Sequence, residues 1–129
     1  MTNINEAYLK ETYYCDYNNP IFQNVPIKYS KSIRTTSIEI FNFVRDNFPL
    51  CADSLKTKAS ETLKKKYSAC WNKALLMVAL LRKYSIPCRI VKHPLKKDFL
   101  KPLLGNDILF INNPYYHCFV QIYIDGIWI

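Results

Sequence analysis

The sequence predicts an α+β fold in which N-terminal helices, one of them buried, pack on an antiparallel sheet. Three observations predict it. Helical periodicity comes first along the chain and strand alternation later, the order expected when helices are segregated to one side of an antiparallel sheet. The run Ala74-Leu75-Leu76-Met77-Val78-Ala79-Leu80-Leu81 is apolar on every side of a helix, so that helix belongs in the interior. The stretch 115–124 alternates with period two and runs into Asp125-Gly126, a two-residue hairpin signal.

Residues 1–30 are loop-rich, punctuated by Asn18-Asn19-Pro20 and Val25-Pro26. Tyr8, Leu9, Tyr13, Tyr14, Ile21 and Phe22 predict that this segment wraps the core. A helix follows over 32–48, with Ile33, Ile40, Phe41, Val44 and Phe48 as its apolar stripe and Pro49 as its stop. A short helical turn is expected around 60–64, and the buried helix over 70–84. Arg82 and Lys83 suit the negative C-terminal end of that helix, and Pro87 lies beyond it.

Residues 88–92 read as a strand, 93–106 as an exposed insertion with two prolines and several lysines, and 108–111 as a further strand. In the strand 115–124, Cys118, Val120, Ile122 and Ile124 face one way, and His117, Phe119, Gln121 and Tyr123 the other. A two-residue turn pairs Ile124 with Ile127 and Tyr123 with Trp128.

At 129 residues the chain holds a single domain, 1–129, with one core. Gly105 and Gly126 are the only glycines, which excludes a glycine-rich phosphate or dinucleotide loop. The formal charge of +8 reads as a solvated basic surface. Its densest run, Lys64-Lys65-Lys66, lacks interleaved aromatic residues and fits no nucleic-acid motif, so nucleic acid is not an expected partner. No apolar run approaches the ~18 residues of a membrane span, and no membrane partner is expected. The five cysteines are odd in number and form no CxxC, and the polar N-terminus offers no apolar signal core. Free thiols in a reducing, cytoplasmic setting follow.

The chemistry centres on Cys70 and His117. Cys70 opens the apolar helix, where first-turn amides and the helix dipole favour a negative sulfur. An imidazole could hold that thiolate and pass its proton to a leaving group. By periodicity alone, a lone cysteine at a helix start reads first as a buried structural residue. His93, His117 and the cysteines fit no common zinc spacing, and neither metal nor cofactor is expected. Cys118 is expected in the core, on the strand face opposite His117, and Asp16 and Glu11 on the surface.

Two ordered segments resemble the transglutaminase-like superfamily, with its papain-like fold. The first runs through Cys70-Trp71-Asn72-Lys73-Ala74-Leu75-Leu76, Ala79-Leu80-Leu81-Arg82 and Ile86-Pro87-Cys88-Arg89. It is similar to that family's nucleophilic Cys at a helix start, leucine-rich stretch and R-x-x-G-I-P-x-R. The second, from His117 through Asp125-Gly126-Ile127-Trp128, is similar to its His-bearing strand before a hairpin with Trp.

The resemblance implies a Cys-His-Asp site with Cys70 as nucleophile and His117 as base and acid. It also implies thiol-mediated acyl transfer or amide hydrolysis on a peptide or protein amide, with no metal in the chemistry. Trp71 and Trp128 are the expected substrate-binding side chains.

The match has departures. Ser68 and Ser85 stand where the family carries Gly, and Phe119 and Gln121 where Trp and Glu are common. Ser68 is the one expected to alter the approach to the nucleophile, since Gly allows angles that Ser resists. The family's Asp follows the hairpin Trp by a few residues, and strand register places it opposite Phe119, beyond Ile129. The C-terminal end of the domain is therefore expected to be missing. A fragment of a longer enzyme, or a weak or inactive binding or scaffold module that keeps the fold, stands as the alternative to an active enzyme. Asp98 and Asp107 are the substitutes weighed for the acid; Asp125 reads as turn chemistry.

Overall fold

The computed structural model describes residues 4–129. Helices α1 (Ile4–Ala7), α2 (Ile33–Asn47), α3 (Ala59–Lys65) and α4 (Cys70–Lys83) precede strand β1 (Cys88–Leu95), helix α5 (Lys101–Leu104) and strands β2 (Tyr115–Ile124) and β3 (Ile127–Trp128). The strands form one antiparallel sheet in the order β1-β2-β3. The architecture is α+β.

α4 is the central element. Leu76, Ala79, Leu80 and Leu81 are fully enclosed, packed among Ile40 and Phe48 from the α2 side, Phe22 from the N-terminal segment, and Ile86 and Cys88. Each large aliphatic side chain so buried contributes about 1.5–3 kcal/mol. The sheet covers another side of the helix through Ile90, Val120 and Ile122.

Past the end of α4 the chain turns back in a left-handed residue. Ser85 (φ 59°) donates its N–H to Arg82 O and Ile86 donates to Leu81 O, both at 2.9 Å. This is the paired-bond stop in which glycine is the favoured residue. The strain expected at Ser68 therefore falls at Ser85 instead. Ser68 has no positive φ. It bridges in parallel to Leu50, with Cys51 N–H bonding Ser68 O at 2.9 Å. Its own hydroxyl is buried without a partner, which costs about 1–3 kcal/mol.

α2 starts where its cap dictates: Ser32 Oγ accepts from Thr35 N–H at 3.2 Å, worth about 1 kcal/mol. Its expected stripe is only partly inside. Ile40 and Val44 are buried, but Ile33 and Phe41 are exposed, and Thr36 and Ser37 face inward in their place. Thr36 can do so because its hydroxyl bonds Ser30 O, and Ser37 because its hydroxyl bonds Ile33 O.

The first three residues of the segment 1–30 lie outside the described residues. From Tyr8 onward it is tied to the domain: Cys88 N–H donates to Tyr8 O, Ala59 N–H to Tyr14 O, and the Arg82 guanidinium to Lys10 O at 2.6 Å. Asp16, read from the sequence as surface, caps α3 instead: its carboxylate accepts from Ser60 N–H at 3.0 Å and from the Ser60 hydroxyl. A carboxylate at a helix start also meets the positive end of the dipole.

β1 runs three residues beyond the strand expected at 88–92, so His93, Pro94 and Leu95 pair with His117, Tyr116 and Tyr115 rather than opening an insertion. Pro94 is tolerated because β1 is an edge strand. Residues 97–110 are short helical turns, and the strand expected at 108–111 is part of a 3-10 turn, Gly105–Phe110. The hairpin has the expected register, Tyr123 with Trp128 and Ile124 with Ile127, through a turn with positive φ at both Asp125 and Gly126. No described helix is long and apolar enough to cross a membrane.

Candidate active site

Cys70 is the first residue of α4 and His117 the third of β2. The two elements pack so that both side chains line one groove of about 490 Å³, together with Phe41, Val44, Met77 and Phe119. Phe41 lines it, which explains why a residue of the helical stripe stays exposed. Arg45 and Lys73 stand on the same wall. Arg45 pairs with Asp46 at 2.6 Å, an exposed contact that adds little stability.

On the other side of Cys70 lies a second depression of about 380 Å³, lined by Trp71, Lys92, Tyr116 and Cys118. The Lys92 ammonium sits 5.3 Å from the Trp71 ring centre. Trp71 is thus beside the thiol. Trp128 is not: it packs edge-on against Tyr8 at 4.7 Å, against Tyr123 at 5.2 Å, and beneath the Arg89 guanidinium at 4.2 Å. Register puts it opposite Tyr123, six residues along β2 from His117, which is about 20 Å of strand. It is a packing side chain at the far end of the sheet.

Cys118 departs from its expected place in the core. It is half-buried and lines both depressions with Cys70. Burial pushes its thiol up, the negative charge available to Cys70 adds to this, and Lys92 opposes it. Cys15 and Cys88 are buried, and burial pushes them up to about 11 and about 12. Cys51 is exposed.

The His117 ring has a partner that the sequence reading missed. Tyr115 Oη lies 2.6 Å from His117 Nδ1. Residues two apart on a strand share a face, so the alternation of β2 could have found this pair. Burial, then the neighbouring Cys70 and Cys118, push the Tyr115 phenol above its ordinary value, so it stays protonated. The ring also stands edge-on to Phe119, 4.8 Å away. Asp98 and Asp107 are exposed in the turns after β1, and neither bonds the ring among the described residues. No hydrogen bond joins Cys70 to His117 among the described residues.

Among the described residues no group of three or more His, Cys, Asp or Glu side chains lies close enough to hold a metal ion. Facing a bound carbonyl, the arrangement offers a thiol at a helix start and an imidazole lining the same groove.

A family model described as the transglutaminase-like superfamily matches residues 24–129. No curated protein matches the sequence. A solved structure from Cytophaga hutchinsonii, whose name proposes a cysteine protease, superimposes with a TM-score of 0.78 at 20% identity. The match covers 100% of this chain and 41% of that one, so the chain spans well under half of its structural neighbour. At that identity the likeness shows a shared fold.

Proposed function

Because the chain belongs to the transglutaminase-like superfamily, we propose that it carries out thiol-dependent acyl transfer or amide hydrolysis, with Cys70 as nucleophile and His117 as base and acid. The observation that carries this reading is that the helix-start thiol and the strand imidazole open into one groove. The substrate is a peptide or protein amide, a class supported by the solved structure of like fold whose name proposes a cysteine protease.

In the first half-reaction His117 takes the Cys70 proton and the thiolate attacks the amide carbonyl, forming the C–S bond. The oxyanion faces the Cys70 N–H at the start of α4, where the amides have no intrahelical acceptor. The intermediate then collapses: the C–N bond breaks and the amine leaves with the proton from His117. In the second, His117 deprotonates water or an acceptor amine, which displaces the thiol from the thioester. Hydrolysis and transamidation share the acyl-enzyme and differ in what attacks it. Trp71 and Lys92, on the other side of the thiol, are placed to hold one of the two substrates. Five unpaired thiols support a reducing, cytoplasmic setting.

A binding module that keeps the fold is the second reading, favoured by the lack of a hydrogen bond between Cys70 and His117 among the described residues. Iodoacetamide labelling near pH 7 separates the two. Cys70 should react about ten- to thirtyfold faster than exposed Cys51, because an ordinary thiol is only a few per cent ionised there. His117→Ala should remove that advantage. Equal rates at the two cysteines, or indifference to His117→Ala, would refute the acyl-transfer reading.

A further inference from the structure

We propose that Tyr115 is a positioning residue of this site, its hydroxyl holding His117 Nδ1. The inference rests on the reading of Cys70 and His117 as nucleophile and base.

Three observations carry it. Tyr115 and His117 project from the same face of β2, two residues apart, and their atoms meet at 2.6 Å, at the short end for a hydrogen bond. The ring is confined by more than this bond. Phe119 stands edge-on to it on one side along the strand, and His93 lies directly across in register on β1, itself 5.5 Å from Phe119. The Tyr115 ring also packs, tilted, against the imidazole, with ring centres 5.8 Å apart.

The chemistry of a phenol defines what it does there. A base must present an unprotonated nitrogen to the thiol. With Nδ1 engaged by Tyr115, that nitrogen is Nε2, and the proton of the neutral ring resides on Nδ1, donated to Tyr115 Oη. When Nε2 takes the Cys70 proton, the same Nδ1–H···Oη bond persists and steadies the imidazolium. A carboxylate would stabilise that cation more, since a bond to a charged acceptor is roughly twice as strong. A phenol fixes ring and tautomer while contributing less charge stabilisation. This suits a thiol, which needs less activation than a hydroxyl.

The tautomer of His117 provides the test, read in the whole protein from its imidazole ¹⁵N shifts by long-range ¹H–¹⁵N correlation. In the wild type above the imidazole pKa, the Nδ1–H form should dominate. In Tyr115→Phe, with the amide spectrum otherwise preserved, the ring should relax to a tautomer mixture. Cys70 alkylation by iodoacetamide should slow about five- to tenfold, the equivalent of one neutral hydrogen bond.

A dominant Nε2–H form in the wild type overturns the proposal, and needs no variant that folds. So does a Tyr115→Phe protein whose tautomer is unchanged, or whose Cys70 reacts as fast or faster. Failure of the acyl-transfer reading looks different: Cys70 of the wild type would then show no excess reactivity over Cys51 at all.

Discussion

The two ends of α4 are built in opposite ways. At its start, Ala69 supplies no side-chain cap and the half-buried Cys70 opens into two depressions. At its end, Ser85 and Ile86 close the last carbonyls with two bonds of 2.9 Å. The thiols follow the ends. Cys88, just past the sealed end, is fully enclosed, donates to Val78 O, and is pushed by burial up to about 12. One residue type beside one helix is thus a packing side chain at one end and the proposed nucleophile at the other. The difference teaches that surroundings, and not the thiol itself, assign the role. Amides without a capping partner favour an anion, and an apolar enclosure penalises it.

The largest effect that would sharpen this contrast lies at the sealed end. Unfolded Cys88 titrates at its ordinary 9.0 and folded Cys88 at about 12. Below pH 9 both states keep the proton and stability is unaffected. Between the two values the unfolded state releases its proton first, so stability falls as pH rises. The whole span corresponds to on the order of 4 kcal/mol, of which about 1.4 kcal/mol is lost by roughly pH 10. Cys15, at about 11, acts in the same direction. Urea denaturation at roughly pH 8 and roughly pH 10 should show this loss, with a smaller one in Cys88→Ala. Identical losses in the two proteins would break the comparison.

A smaller effect is expected at the open end. Ala69→Asp should cap α4 and raise stability by about 1 kcal/mol. It should also slow Cys70 alkylation, because the new carboxylate competes with the thiolate for the same amides. Faster alkylation in this variant would mean that those amides do not govern the thiol.

The smallest concerns Ser85, held at φ 59°. Ser85→Gly should raise the thermal midpoint by the equivalent of about 0.5–1 kcal/mol and leave Cys70 reactivity unchanged. A drop in stability would show that the left-handed turn is not strained by its side chain.

Much of this was legible in the sequence where the signal is local. An apolar stripe before Pro49, an all-apolar stretch ahead of Pro87, and an alternating strand before Asp125-Gly126 each marked an element. The misreadings also have local causes. Pro94 reads as a breaker, yet an edge strand accepts it. The apolar run 108–111 is too short to separate strand from helix, and only Ile108 of it is buried. Trp128, expected beside the substrate, stands opposite Tyr123 in the register the sequence predicts, six residues along β2 from His117. Ser68 looked like the strained substitution, and the backbone put the strain at Ser85.

By itself, then, the sequence determined that Cys70 starts a buried helix, that His117 shares a strand face with Phe119, and that a hairpin follows. Only the tertiary structure decided that the two open into a common groove and that Cys118 stands beside Cys70. Periodicity records which face of an element is apolar, because that depends on residues three, four or two apart. What a face then meets depends on how α4 packs against the sheet, and these contacts join residues distant in the chain.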